Sequence, residues 1–173
     1  MKKVILLLVA VFSLHLATAQ TQEITLENIN IRPLNLTYLK KVQDKNTPAF
    51  VKALESKAAR YDITESPIFD REFESYEVVF DAVKKDGADG TIMATYDQDG
   101  KIINSVERYI NVSLPKMIRD ACLEEYPDFK IQKDVYLVSY NYNRNSVKKY
   151  YKVQMTNGSK KKQLKIDANG VLL

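Results

Sequence analysis

The chain has 173 residues, with 26 Lys plus Arg against 22 Asp plus Glu, a net charge of +4, one His, one Cys and no Trp. The single His15 lies in an apolar N-terminal stretch; if that stretch is removed as an export signal, the working protein holds no histidine, which excludes Ser-His-Asp and Cys-His catalysis, imidazole zinc sites and a histidine pH switch. One cysteine, Cys122, excludes an internal disulfide framework and paired-cysteine redox or metal sites.

The chain opens on Lys2 and Lys3, continues through the apolar run Val4 to Leu14, and reaches the small-x-small sequence Ala17-Thr18-Ala19. This order predicts a cleaved signal peptide over residues 1–19, a mature start at Gln20, and export to the periplasm or the extracellular space. The run falls short of the ~20 residues that a bilayer span needs, so no membrane span is expected. No cysteine follows it to carry a lipid. Sequons at Asn35, Asn111 and Asn157 would count only in a eukaryotic secretory pathway, and the short Lys-Lys signal looks bacterial.

Residues 20–37 have little apolar density and read as an extended lead-in. A helix should open at Asn46-Thr47-Pro48, with Thr47 as N-cap and Pro48 in the first turn. Its apolar stripe is Phe50, Ala53, Leu54, Lys57, Ala58 and Tyr61. After Ser66-Pro67, the stretch from Phe73 to Val83 alternates, with Tyr76, Val78, Phe80 and Ala82 on one face. Turns at Asp86–Gly90 and Asp97–Gly100 separate it from strands at Thr91–Tyr96 and Lys101–Ile110. Ser113 should cap a second helix, from about Leu114 to Tyr126, with the stripe Leu114, Met117, Ile118, Ala121 and Cys122. Tyr126-Pro127 ends it. Strands follow at about Phe129–Asn141, Val147–Thr156 and Ser159–Asp167. An Asn169-Gly170 turn then leads to a short last strand, Val171–Leu173.

The order repeats. Tyr96-Asp97-Gln98-Asp99-Gly100 aligns with Ile166-Asp167-Ala168-Asn169-Gly170, and the two helices align at nearly the same offset. The predicted fold class is therefore α+β. One domain over residues 38–173 would consist of two tandem helix-plus-antiparallel-strand repeats, about 38–112 and 113–173. Both helices would pack on one face of a shared antiparallel sheet, leaving the other face to solvent or a partner.

Leu114-Pro115, Tyr126-Pro127, Tyr151-x-Val153, Leu164-x-Ile166-Asp167 and Gly170 together resemble the PepSY-like secreted domains, which are similar in fold to β-lactamase inhibitory proteins. The resemblance covers roughly residues 90–173, and residues 38–90 through the repeat. It implies an exported bacterial protein whose sheet face grips another protein, and it implies no catalytic residues.

From Val135 to Ile166 there are eight basic residues and no acid, interleaved with five tyrosines. Alternation in which Val135 and Leu137 face the helices would turn Tyr136, Tyr140 and Tyr142 outward. Tyr151 and Val153 facing inward turn Tyr150 and Lys152 outward; Leu164 and Ile166 inward turn Lys161 and Lys165 outward. The candidate binding face is thus Tyr136, Tyr140, Tyr142, Tyr150, Lys152, Lys161 and Lys165. Tyrosine suits interface hot spots, and lysine steers an acidic partner. Cross-strand Tyr–Lys pairing on a solvated sheet accounts for the same pattern. Residues 20–113 carry an acidic excess and residues 114–173 a basic one, consistent with complementary packing of the halves or with an oriented docking surface.

The Asp-rich stretches at 86–90 and 97–100 lack the ligand spacing of a calcium loop and read as turns. The acids Asp70, Glu72 and Glu74, and the pair Glu124-Glu125, read as solvated surface. Cys122 reads as a buried small hydrophobe. The expectation is a non-enzymatic exported binding module with no cofactor and no metal. Its partner would be another exported or envelope protein, and not nucleic acid. The alternative is an envelope-associated binder of an anionic small ligand, glycan or lipid headgroup.

Overall fold

The computed structural model describes residues 35–173; the expected signal peptide and most of the lead-in lie outside the described residues. Six strands, β1 (Ser75–Val83), β2 (Asp89–Asp97), β3 (Ile102–Ile110), β4 (Lys130–Asn141), β5 (Ser146–Asn157) and β6 (Lys160–Asp167), pair antiparallel in chain order as one open sheet. The helices are α1 (Leu36–Val42), α2 (Ala49–Arg60) and α3 (Lys116–Glu125). The first two precede β1, and α3 joins β3 to β4. The fold is α+β. The buried residues of all three helices share one core with the inner face of the sheet.

The helix α1 was not expected from the sequence. It falls where the lead-in gives way to the domain, and it buries Tyr38 and Val42. Asn35, just before it, is buried: its amide donates to the Gly100 carbonyl, and its side-chain oxygen accepts from the Ile102 N–H. These two bonds pin the start of α1 to the β2–β3 hairpin.

In α2 the buried face is turned by one position from the expected stripe. Val51, Leu54, Glu55, Ala58 and Ala59 are buried, while Ala53 and Lys57 are exposed. Glu55 stands in the core row, so the apolar period is more regular on the neighbouring row. Thr47 does not cap the helix. Its hydroxyl accepts from the Asp44 N–H in the preceding turn, and the N-cap position falls on Pro48 without a side-chain bond. Ser113 likewise gives way to Pro115 at the start of α3. The α3 stripe is as expected, with Leu114, Ile118 and Cys122 buried.

The hairpin turns consume their own aspartates. Asp97 Oδ1 accepts from the Asp99 and Lys101 N–H groups, and Gly100 takes φ +74°. Asp167 Oδ1 accepts from the Asn169 and Val171 N–H groups, and Gly170 takes φ +91°. A left-handed φ is open to glycine without steric cost, which is why glycine closes both. The expected last strand reduces to a single bridge, Leu172 to Ile166.

Candidate functional site

Cross-strand neighbours share a face, so the register maps the outer side of the sheet row by row. One row runs Val79, Met93, Val106, Ser139, Lys148. The next runs Asp81, Thr91, Arg108, Leu137, Tyr150, Asp167, and the one beyond it Val83, Asp89, Ile110, Val135, Lys152, Lys165. Val79, Met93 and Val106 are 52%, 41% and 54% exposed, which makes them a contiguous apolar strip across three strands. Glu77, Asp81 and Asp89 lie on the β1–β2 side of this face. Lys133, Lys148, Lys152, Lys161 and Lys165 lie on the β4–β6 side. The face is therefore polarised in charge along the strand order, with an apolar strip reaching into its middle. Among the described residues, no element packs over it.

The structure brings Tyr150, Lys152, Lys161 and Lys165 together on this outer face. Lys152 is in register with Lys165, and Lys165 Nζ stands 4.5 Å from the centroid of the Tyr150 ring. Tyr142 is exposed at the β4–β5 hairpin, with Lys101 Nζ 3.1 Å from its ring centroid. A cation over an aromatic face at such distances is attractive.

Tyr136 and Tyr140 are corrected: both point into the core, at 1% and 3% exposure, and Val135 and Leu137 take the outer side. The segment Val135-Tyr136-Leu137-Val138 is apolar on both faces, so alternation alone does not choose its phase. Neighbouring rings choose it. Tyr109, Tyr136 and Tyr151 are in register across β3, β4 and β5 and stack, with ring centroids 6.0 Å and 4.3 Å apart. Tyr140 meets Tyr38 of α1 edge-on at 5.4 Å. Because Tyr109 and Tyr151 lie in phase with the buried residues of their own strands, their partner on β4 had to face inward too.

Sequence reasoning also missed the buried acids. Glu107, at 0% exposure, accepts from Tyr38 Oη (2.8 Å) and Ser105 Oγ (2.7 Å) on one oxygen and from Tyr109 Oη (2.7 Å) on the other. Glu55 of α2, also at 0% exposure, has no hydrogen-bond donor on either oxygen. The neighbouring Gln43 amide donates instead to the Lys52 carbonyl. Burial, with the charge of Glu107 beside it, pushes the Glu55 carboxyl up to about 9. Glu55 is then a neutral acid at ordinary pH, buried beside Glu107. The hydroxyls of Tyr38, Ser105 and Tyr109 ring Glu107, and the Tyr38 bond fastens α1 to β3. No member of the group is more than 1% exposed, so it is closed to substrates as it stands. The signal was legible afterwards: Ser105, Glu107 and Tyr109 alternate on one strand, and Glu55 lies four residues after Val51.

Lys149 completes the attachment. It reaches inward from β5, donates to the Val42 carbonyl at the end of α1 (3.1 Å), and pairs with Asp44. Burial by itself would raise the Asp44 carboxyl; the Lys149 contact and the Asn46 N–H outweigh it and hold the carboxyl below its ordinary value. Asp134, buried at the start of β4's ordered inner row, accepts from the Val112 N–H at 3.2 Å, yet desolvation pushes it up to about 6. Desolvation likewise raises the Cys122 thiol to about 11.

Among the described residues, no helix is long and apolar enough to cross a membrane. Compared with protein-family models, curated proteins and solved structures, the chain matches none.

Proposed function

We propose that this is an exported, non-enzymatic binding module of the PepSY-like kind that grips another protein through the outer face of its sheet. The observation that carries this is the strip Val79–Met93–Val106, uncovered among the described residues, which crosses the acidic side of the face and reaches the middle of the sheet beside the basic side. An apolar centre flanked by charges of both signs gives burial and a single preferred orientation. Tyr150, Lys152, Lys161 and Lys165 form the basic half of the contact; Tyr136 and Tyr140 support it from below. A partner with an acidic patch over β4–β6 fits the lysines. We read the α-plus-three-strand order of each half as a duplication, supported by the matching hydrogen bonds of the Asp97–Gly100 and Asp167–Gly170 turns.

The test is capture of partners from envelope extract by the purified chain and by Met93→Glu and Tyr150→Ala/Lys152→Ala variants. Loss of the same partner in both variants, with unchanged circular dichroism, is the expected result. Retention of every partner by both variants removes the face from consideration. A second reading, an anionic glycan or lipid headgroup on the lysine half, rests on the in-register pair Lys152–Lys165. It requires retention on anionic vesicles that falls steeply with salt and survives Met93→Glu.

A further inference from the structure

The two edges of the sheet are built differently. The β6 edge carries Lys160, Lys161 and Lys162, and the chain's own C-terminus closes its far half: the Asp167 N–H bonds the Val171 carbonyl and the Leu173 N–H bonds the Lys165 carbonyl. Lysines and a covering segment are two standard ways of blunting an edge strand. The β1 edge has neither. Its nine residues pair with β2 in an unbroken register, without proline or bulge, and among the described residues no strand pairs with its other side. Val79 and Val83, at 52% and 77% exposure, alternate with Glu77 and Asp81 along it. Neither carboxylate has a cationic partner among the described residues. Asp81 bonds only the Thr91 hydroxyl, and the nearby Lys84 is turned over the Phe50 ring.

We propose that β1 is a docking edge for an extended basic segment of a partner protein, which adds as a seventh strand. Backbone pairing supplies the attraction, and the side chains of β1 set the sequence that fits. Positions opposite Glu77 and Asp81 call for Lys or Arg. The position opposite Val79 calls for an apolar residue, as do the inner positions opposite Val78 and Phe80. A second copy of this chain is disfavoured there: antiparallel pairing of two full β1 strands sets Glu77 opposite the other copy's Asp81, like charge against like. This inference goes beyond the face described above and does not depend on it.

The experiment is a titration of the ¹⁵N-labelled chain with a blocked peptide, Thr-Lys-Val-Val-Val-Lys-Thr. Amide shifts should be confined to the β1–β2 hairpin. Binding should weaken about tenfold in Glu77→Lys/Asp81→Lys and return when the peptide lysines are replaced by glutamates. Of two peptides N-methylated at alternate residues in opposite phase, one should not bind, because only every second N–H faces β1. The proposal is overturned if both bind as well as their parent, if no β1 amide shifts, or if the charge swap brings no rescue. Sedimentation showing a dimer that the charge-reversed variant alters would give the edge to self-pairing instead.

Discussion

Replacing Glu55 by Gln removes one titrating proton and leaves the shape of the core unchanged. The amide is uncharged, as the protonated carboxylic acid is. Glu55 has a folded value of about 9 against an ordinary 4.5, so folding favours its protonated form. The stability this gives is complete below pH 4.5 and is lost as pH rises towards 9. Each pH unit inside that window costs about 1.4 kcal/mol. Between about pH 5.5 and about pH 8.5, the parent should lose about 4 kcal/mol through this group, and the Gln variant should lose none of it. Urea denaturation of both proteins at the two pH values gives the difference directly. Asp134 and every other titrating group are common to both and cancel. A parent-to-variant gap that is the same at both pH values would show that Glu55 is ionised in the fold and would refute its burial as a neutral acid.

Three further outcomes follow from the packing. Tyr136→Ala should lower stability by about 3–5 kcal/mol, as for other large aromatic truncations, whereas Tyr150→Ala, at a partly buried outer-face position, should cost far less; paired thermal melts compare them. Gly90→Ala should be destabilising by about 1–3 kcal/mol in the same assay, because the new Cβ would stand 2.7 Å from Tyr109 Cδ1 and 3.1 Å from Phe50 Cε1. Cys122, buried and with its thiol held high, should resist a disulfide reagent at about pH 8 in the native state and react fully in urea.

The strands and α3 were legible because their apolar periods are regular. The phase of β1 and the inward residues of β5 and β6 followed from alternation, and the α3 stripe from its 3.6-residue spacing. What failed did so where hydrophobicity carries no phase. Val135 to Val138 is apolar on both sides, and only the registered rings of Tyr109 and Tyr151 settle which side is in. The face of α2 was misjudged by one position because its core row contains Glu55. The polarity of that residue makes sense only beside Glu107, which lies more than fifty residues away in sequence. α1 is seven residues long, too short for a period to show, and is held by partners on β3 and β5. Of the candidate face, the lysines and Tyr150 were readable from strand phase. The strip Val79–Met93–Val106 was not, because it exists only across three paired strands.

The ladder of Tyr109, Tyr136 and Tyr151 has an optical consequence. With no tryptophan in the chain, tyrosines dominate its near-ultraviolet absorption. Rings stacked at 27° and 19° to one another in a chiral frame couple their transitions, and unfolding uncouples them. One of the three hydroxyls also donates to a carboxylate, an arrangement that quenches emission. The folded protein should thus carry a circular-dichroism band of its own near the tyrosine absorption and a dim fluorescence that brightens as the sheet comes apart, so that its folding can be followed without a label.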